Sequence, residues 1–194
     1  MEKGIWFAAA ALVLLSPGRS MAAWKDSLRP QRWEVRAGYG TQYIDKKSRP
    51  HHFQLLHLLP SVSVPIGKPV AQGWLHGQFE WAPELFLGLF THPYVRPLIG
   101  VTPLQFRYVF QPDWRLHPYL FAGAGILYAN VNRKETGKDL NFNPQFGSGF
   151  YYALNPSTSL IVEYRHVHIS NAGLNERNSG MNNHTFLAGV SFKK

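Results

Sequence analysis

The chain has 194 residues, one domain's worth, and combines 45% hydrophobic residues with a mean hydropathy of -0.21, which is too polar for a bundle of membrane helices. It contains no cysteine, so an oxidising destination has to be met without disulfides. The formal net charge of +9 suits an anionic partner, and for an exported chain lipid phosphates are the natural counter-charge rather than nucleic acid.

The N-terminus reads Met1-Glu2-Lys3, an apolar run from Gly4 to Leu15, then Ser20-Met21-Ala22-Ala23. That is the charged, apolar and small-residue order of a cleaved secretory signal, assigned to residues 1–23, with a single domain over 24–194. The apolar run falls short of the roughly 20 residues that a spanning helix needs.

Beyond it the pattern is alternation. Trp33, Val35, Ala37 and Tyr39 share one face of a first candidate strand, opposite Glu34, Arg36, Gly38 and Gly40. Less regular segments follow over Phe53 to Ile66, Trp74 to Phe90, Val95 to Phe110 and Tyr119 to Val131, with Pro60, Pro83, Pro97 and Pro103 expected at bulges, strand ends or loops. Clean alternation returns in Phe146, Phe150, Tyr152 and Leu154 against Gln145, Gly147 and Gly149. It recurs in Phe186, Ala188, Val190 and Phe192 against Leu187, Gly189 and Ser191. Turn clusters such as Gln111-Pro112-Asp113 and Asn155-Pro156-Ser157 separate these segments.

The expected fold is all-β, an antiparallel transmembrane β-barrel of about eight strands in the bacterial outer membrane, with a lumen filled by side chains. A soluble lipocalin-type barrel would need charge on its outer face and would have to turn the Trp and Tyr inward. The glycine-rich face seen here suits a crowded lumen better. The C-terminal Phe192-Lys193-Lys194 departs from the terminal aromatic usual in such barrels.

The stretch with chemistry begins at Leu160. On one strand, Leu160, Val162, Tyr164, His166, His168 and Ser170 share a face, and placing Glu163 and Arg165 in the lumen as a pair turns that face outward. His168 and Ser170 are then neighbours, a base beside a hydroxyl that needs one to become a nucleophile. Asn171-Ala172-Gly173 follows, a turn whose N–H groups, with the Asn171 amide, suit a developing oxyanion; the same run also suits a tight hairpin turn with Gly173 at positive φ. His-x-Ser alone is a common spacing.

The run His168-Ile169-Ser170-Asn171-Ala172-Gly173-Leu174, with Asn178-Ser179-Gly180 after it, resembles the His-x-Ser-Asn-Ala-Gly signature and downstream Asn-x-Gly of the PagL-type lipid A 3-O-deacylases. The resemblance implies an eight-stranded outer-membrane barrel that hydrolyses an ester-linked acyl chain of lipid A. It implies Ser170 as nucleophile, His168 as general base, and Asn171 and Gly173 at the oxyanion site, with no metal or other cofactor. The family's glutamate falls by spacing on Asn182, which can hold the histidine tautomer but not balance imidazolium charge; Glu176 is the alternative third member. Competing readings are a structural or surface-binding barrel without catalysis, and a barrel phospholipase or acyltransferase. A metal site from His166, His168 and His184 lacks carboxylate or thiolate partners. His51, His52, His57 and His117 are read as rim and loop residues, and a homodimer is left open.

Overall fold

In the computed structural model, residues 31–42, 53–129, 136–175, 178 and 180–193 are described. The secretory signal expected over residues 1–23, His51, His52 and Glu176 lie outside them.

The strands, in chain order, are β1 (Arg32–Gln42), β2 (Gln54–Val70), β3 (Gly77–Trp81), β4 (Glu84–His92), β5 (Arg96–Phe110), β6 (Leu116–Ala129), β7 (Leu140–Phe142), β8 (Gln145–Ala153), β9 (Thr158–Ile169) and β10 (Met181–Lys193). β3 and β4 are two halves of one strand interrupted at Ala82-Pro83, and β7 and β8 two halves of another interrupted at Asn143-Pro144. The result is an eight-stranded antiparallel barrel in which each strand pairs with its neighbours in sequence. It closes where β1 meets β10, with Arg32 opposite Lys193 and Gln42 opposite Asn183. Closure satisfies every strand without an exposed edge, which is what lets a sheet sit in hydrocarbon.

The prolines fall where the ladder can spare a donor. Pro83 lies in the β3–β4 interruption, Pro103 in the register shift between Val101 and Leu104 of β5, and Pro97 at the start of β5. Pro60 lies inside β2, opposite Val35 on one side, at a gap in the β2–β4 pairing between Leu58 and Ser61 on the other.

Alternation sorts the side chains as expected. Trp33, Val35, Tyr39, Phe146, Tyr152, Phe186 and Phe192 point outward and are exposed, while Glu34, Arg36, Leu187 and Ser191 are buried inside. The lumen is filled in three levels. At the end of the long loops, Phe53, Leu55, Phe86, Phe90, Val167, Ile169 and Met181 belong to one apolar cluster. At the other end, Val109, Tyr119, Phe121, Tyr151 and Ile161 form a second.

Between them lies a lattice of ions. Arg36 donates to Ser61 and Glu84 at 2.8 Å each and pairs with Glu163. Arg165 reaches Glu84 at 2.7 Å and Glu163 at 2.8 Å, so the Glu163–Arg165 pairing expected from alternation is present. Arg107 meets Glu34 at 3.0 Å, and Tyr119 donates to Glu163 at 2.6 Å. Charges this deep persist only when paired, because an isolated ion inside a low-dielectric lumen is several kcal/mol unfavourable. Room for the large inward rings comes from glycine: a Cβ on Gly149 would lie 2.6 Å from the Tyr119 hydroxyl.

His57 corrects the sequence expectation. It is not a rim residue but points into the lumen, 3% exposed, with Nε2 3.1 Å from Thr185 Oγ1 and its ring against Phe86. Its strand register puts it on the inward face of β2. His117 is the second residue of β6 and half-buried near the short-turn end.

The two ends of the barrel differ. Connections 71–76, 111–115 and 154–157 are short and lie at one end with Arg32 and Lys193. Three of the four connections at the other end, 43–53, 130–139 and 170–180, are longer. Short periplasmic turns and long external loops are the rule for outer-membrane barrels, so the 170–180 loop lies at the outer face of the membrane.

Candidate active site

β9 and β10 build the site. Their register sets His168 opposite Asn182, His166 opposite His184 and Tyr164 opposite Phe186, all on the outward face. His168 Nδ1 and Asn182 Oδ1 are 2.7 Å apart, the hydrogen bond that a third triad member has to make. With Nδ1–H donating to the amide oxygen, Nε2 is left as the basic nitrogen.

Ser170 continues the same face one step beyond β9. It pairs with β7 through Phe142, N to O in both directions at 2.7 and 3.1 Å, so it is anchored by backbone bonds rather than carried on a loose turn. Its side chain is recessed, the residue being 8% exposed. No hydrogen bond joins Ser170 directly to His168 among the described residues. The inward neighbours Val167, Ile169 and Met181 belong to the apolar plug and brace the wall behind the site.

After Ser170 the chain turns through Ala172 at φ 54° and Gly173 at φ 79°. Asn171 holds this turn together. Its backbone N–H donates to Asn178 Oδ1 at 2.9 Å, its Nδ2 donates to the Thr136 carbonyl at 2.8 Å, and its Oδ1 accepts from Gly173 N at 2.9 Å. The two residues expected at the oxyanion site are therefore next to Ser170 with their N–H groups engaged in the turn. The Ala172 N–H between them has no hydrogen-bond partner among the described residues. Sequence reading named Asn178 and Gly180 as motif positions without roles. It missed the Thr136 carbonyl, which belongs to a loop remote in sequence and leaves no local signal.

Below the site, towards the membrane, the outward column continues. The His166 ring lies 4.8 Å from that of His184 and 5.1 Å from that of Phe146, and Tyr164 Oη is 2.6 Å from His184 Nδ1. Glu163 faces the lumen, as expected, on the opposite side of β9 from this column.

Fold and site together define an integral β-barrel of the outer membrane with a serine, a histidine and an asparagine gathered at its lipid-facing outer rim. The profile of the lipid A 3-O-deacylase (PagL) family matches residues 72–191, a span that contains β3 to β9 and nearly all of β10. The chain belongs to that family, a family of lipid A hydrolases. The crystal structure of the outer membrane enzyme PagL is similar at a TM-score of 0.60, with 21% identity, over 81% of this chain and 97% of that one. The crystal structure of Neisserial surface protein A is similar at 0.58, with 15% identity, over 84% and 96%. At such identities the two likenesses speak to the fold. No curated protein sequence matches the chain.

Proposed function

We propose that this barrel is a serine esterase that removes an ester-linked acyl chain from lipid A at the 3-position, with Ser170 as nucleophile, His168 as general base and Asn182 as the residue that orients the base. The observation that carries this reading is the 2.7 Å bond from His168 Nδ1 to Asn182 Oδ1, which selects the tautomer a base needs. Ser170 Oγ attacks the ester carbonyl and forms the C–O bond of a tetrahedral intermediate while its proton passes to His168 Nε2. The bond from Oγ to Nε2 is made as substrate seats, as is common in sites whose geometry tightens only with ligand. Collapse expels the sugar hydroxyl, which takes the proton back from His168. Water, deprotonated by His168, then cleaves the acyl-enzyme.

The 171–173 backbone stabilises the oxyanion, with the Ala172 N–H as the donor not already engaged and those of Asn171 and Gly173 beside it. Asn182 supplies geometry without charge. Glu176, on the same connecting loop, is the alternative third member. The basic surplus of the chain serves the phosphates of the lipid. The 1–23 segment delivers the chain to the envelope as a cleaved signal.

Mass spectrometry of lipid A from cells expressing the wild type and Ser170→Ala tests the reading. Loss of one acyl mass with the wild type only supports it. Unchanged lipid A in the presence of assembled wild-type barrel overturns it in favour of another lipid substrate or a non-catalytic barrel.

A further inference from the structure

The His168 imidazole is met on two edges by one short stretch of chain. Asn182, second residue of β10, holds Nδ1 at 2.7 Å. Gly180, buried just before β10, lies against the Cε1–Nε2 side of the ring: a Cβ placed on it would stand 2.7 Å from His168 Cε1 and 3.1 Å from Nε2. Carbon atoms in favourable contact sit at about 3.5–4.0 Å, so that space is already taken by the ring. A planar imidazole cannot bend out of the way; it can only rotate, and rotation about its two side-chain torsions moves Nδ1 off Asn182 and changes the direction in which Nε2 points. Gly180 also has φ +68°, a conformation that residues with a Cβ adopt at a cost.

We propose that Gly180 is a positioning residue: the absence of a side chain there seats the His168 ring between Asn182 and Ser170. The proposal rests on the hydrolytic reading of those three residues. It also explains the downstream Asn-x-Gly. Asn178 clamps the nucleophile turn through the Asn171 N–H, and two residues later Gly180 backs the base, so one loop sets both halves of the site.

The backbone supplies an internal control. Gly67, near the opposite end of the barrel, has φ +69°, and a Cβ there would meet nothing within 4 Å, so Gly67→Ala carries the same backbone strain and touches no catalytic group. Gly180→Asn provides the converse, since asparagine tolerates positive φ yet carries the Cβ.

The experiment compares wild type, Gly180→Ala, Gly180→Asn and Gly67→Ala as refolded full-length barrels. It measures kcat and KM for lipid A hydrolysis in mixed micelles, and the 15N imidazole resonances of His168 identified by their loss in His168→Ala. Both Gly180 variants are expected to lose roughly 10- to 100-fold in kcat with little change in KM, the scale of a misplacement near 1 Å. Their His168 resonances should move, while Gly67→Ala matches wild type in both readouts. Wild-type kcat and resonances in the Gly180 variants overturn the proposal, as does an equal loss in Gly67→Ala. A wild type that leaves lipid A intact overturns the esterase reading instead; the resonances then decide the seating of the ring on their own.

Discussion

Asn182 is the residue on which the catalytic reading turns, and replacing it isolates what an uncharged orienting group contributes. Asn182→Asp keeps the shape and puts a carboxylate oxygen where the amide oxygen stands, 2.7 Å from His168 Nδ1. A neutral hydrogen bond is worth about 0.5–1.5 kcal/mol net and one to a charged group about 1.5–3 kcal/mol, so the exchange adds about 1 kcal/mol to the imidazolium-bearing transition state. Asn182 is exposed, and solvent screening holds the gain to the lower part of that range. At about 1.36 kcal/mol per decade, Asn182→Asp raises kcat by about 3- to 10-fold.

Asn182→Ala removes the bond and frees the ring to take either tautomer, and lowers kcat by about 10- to 100-fold. The assay is fatty-acid release from purified lipid A by refolded barrel, with kcat and KM resolved and folding checked by heat-resistant migration on gels. Wild-type kcat in Asn182→Ala refutes the assignment of Asn182. The same result combined with loss of activity in Glu176→Gln transfers the role to Glu176.

Further outcomes follow from the same geometry. Ser170→Ala and His168→Ala abolish lipid A hydrolysis while the barrel still folds, because Ser170 is fixed by backbone bonds to Phe142 that alanine retains; mass spectrometry and gel migration read both. Asn178→Ala removes the acceptor of the Asn171 N–H and weakens the turn by about 1–3 kcal/mol, which lowers kcat/KM and leaves global urea unfolding nearly unchanged. Glu163→Leu leaves Arg36 and Arg165 short of a buried partner and destabilises the barrel by about 3–5 kcal/mol in urea titrations, whereas the exposed Leu160→Val change does not.

How much of the site is legible depends on how local each relation is. The outward face of Tyr164, His166 and His168, and the lumen placement of Glu163 and Arg165, follow from a period of two and agree with the structure. His57 does not follow in this way, because β2 belongs to the less regular segments, where Pro60 obscures the alternation and a lone histidine resembles a rim residue. The family signature locates Ser170, His168 and the 171–173 turn. It carries no account of Thr136, because hydrogen bonds from one loop to another leave no trace in the spacing of either.

By itself the sequence determined the class of fold, the faces of its clean strands and the segment that carries the family signature, since alternation and a contiguous motif are properties of neighbouring residues. Tertiary structure decided the rest. The β9–β10 register brings Asn182 to His168, the Gly180 backbone closes on the imidazole, and Glu34, Glu80, Glu84 and Glu163 meet Arg32, Arg36, Arg107 and Arg165 from separate strands in the lumen. These are relations between residues remote along the chain, and they come into being only when the barrel closes and fixes which strand lies beside which.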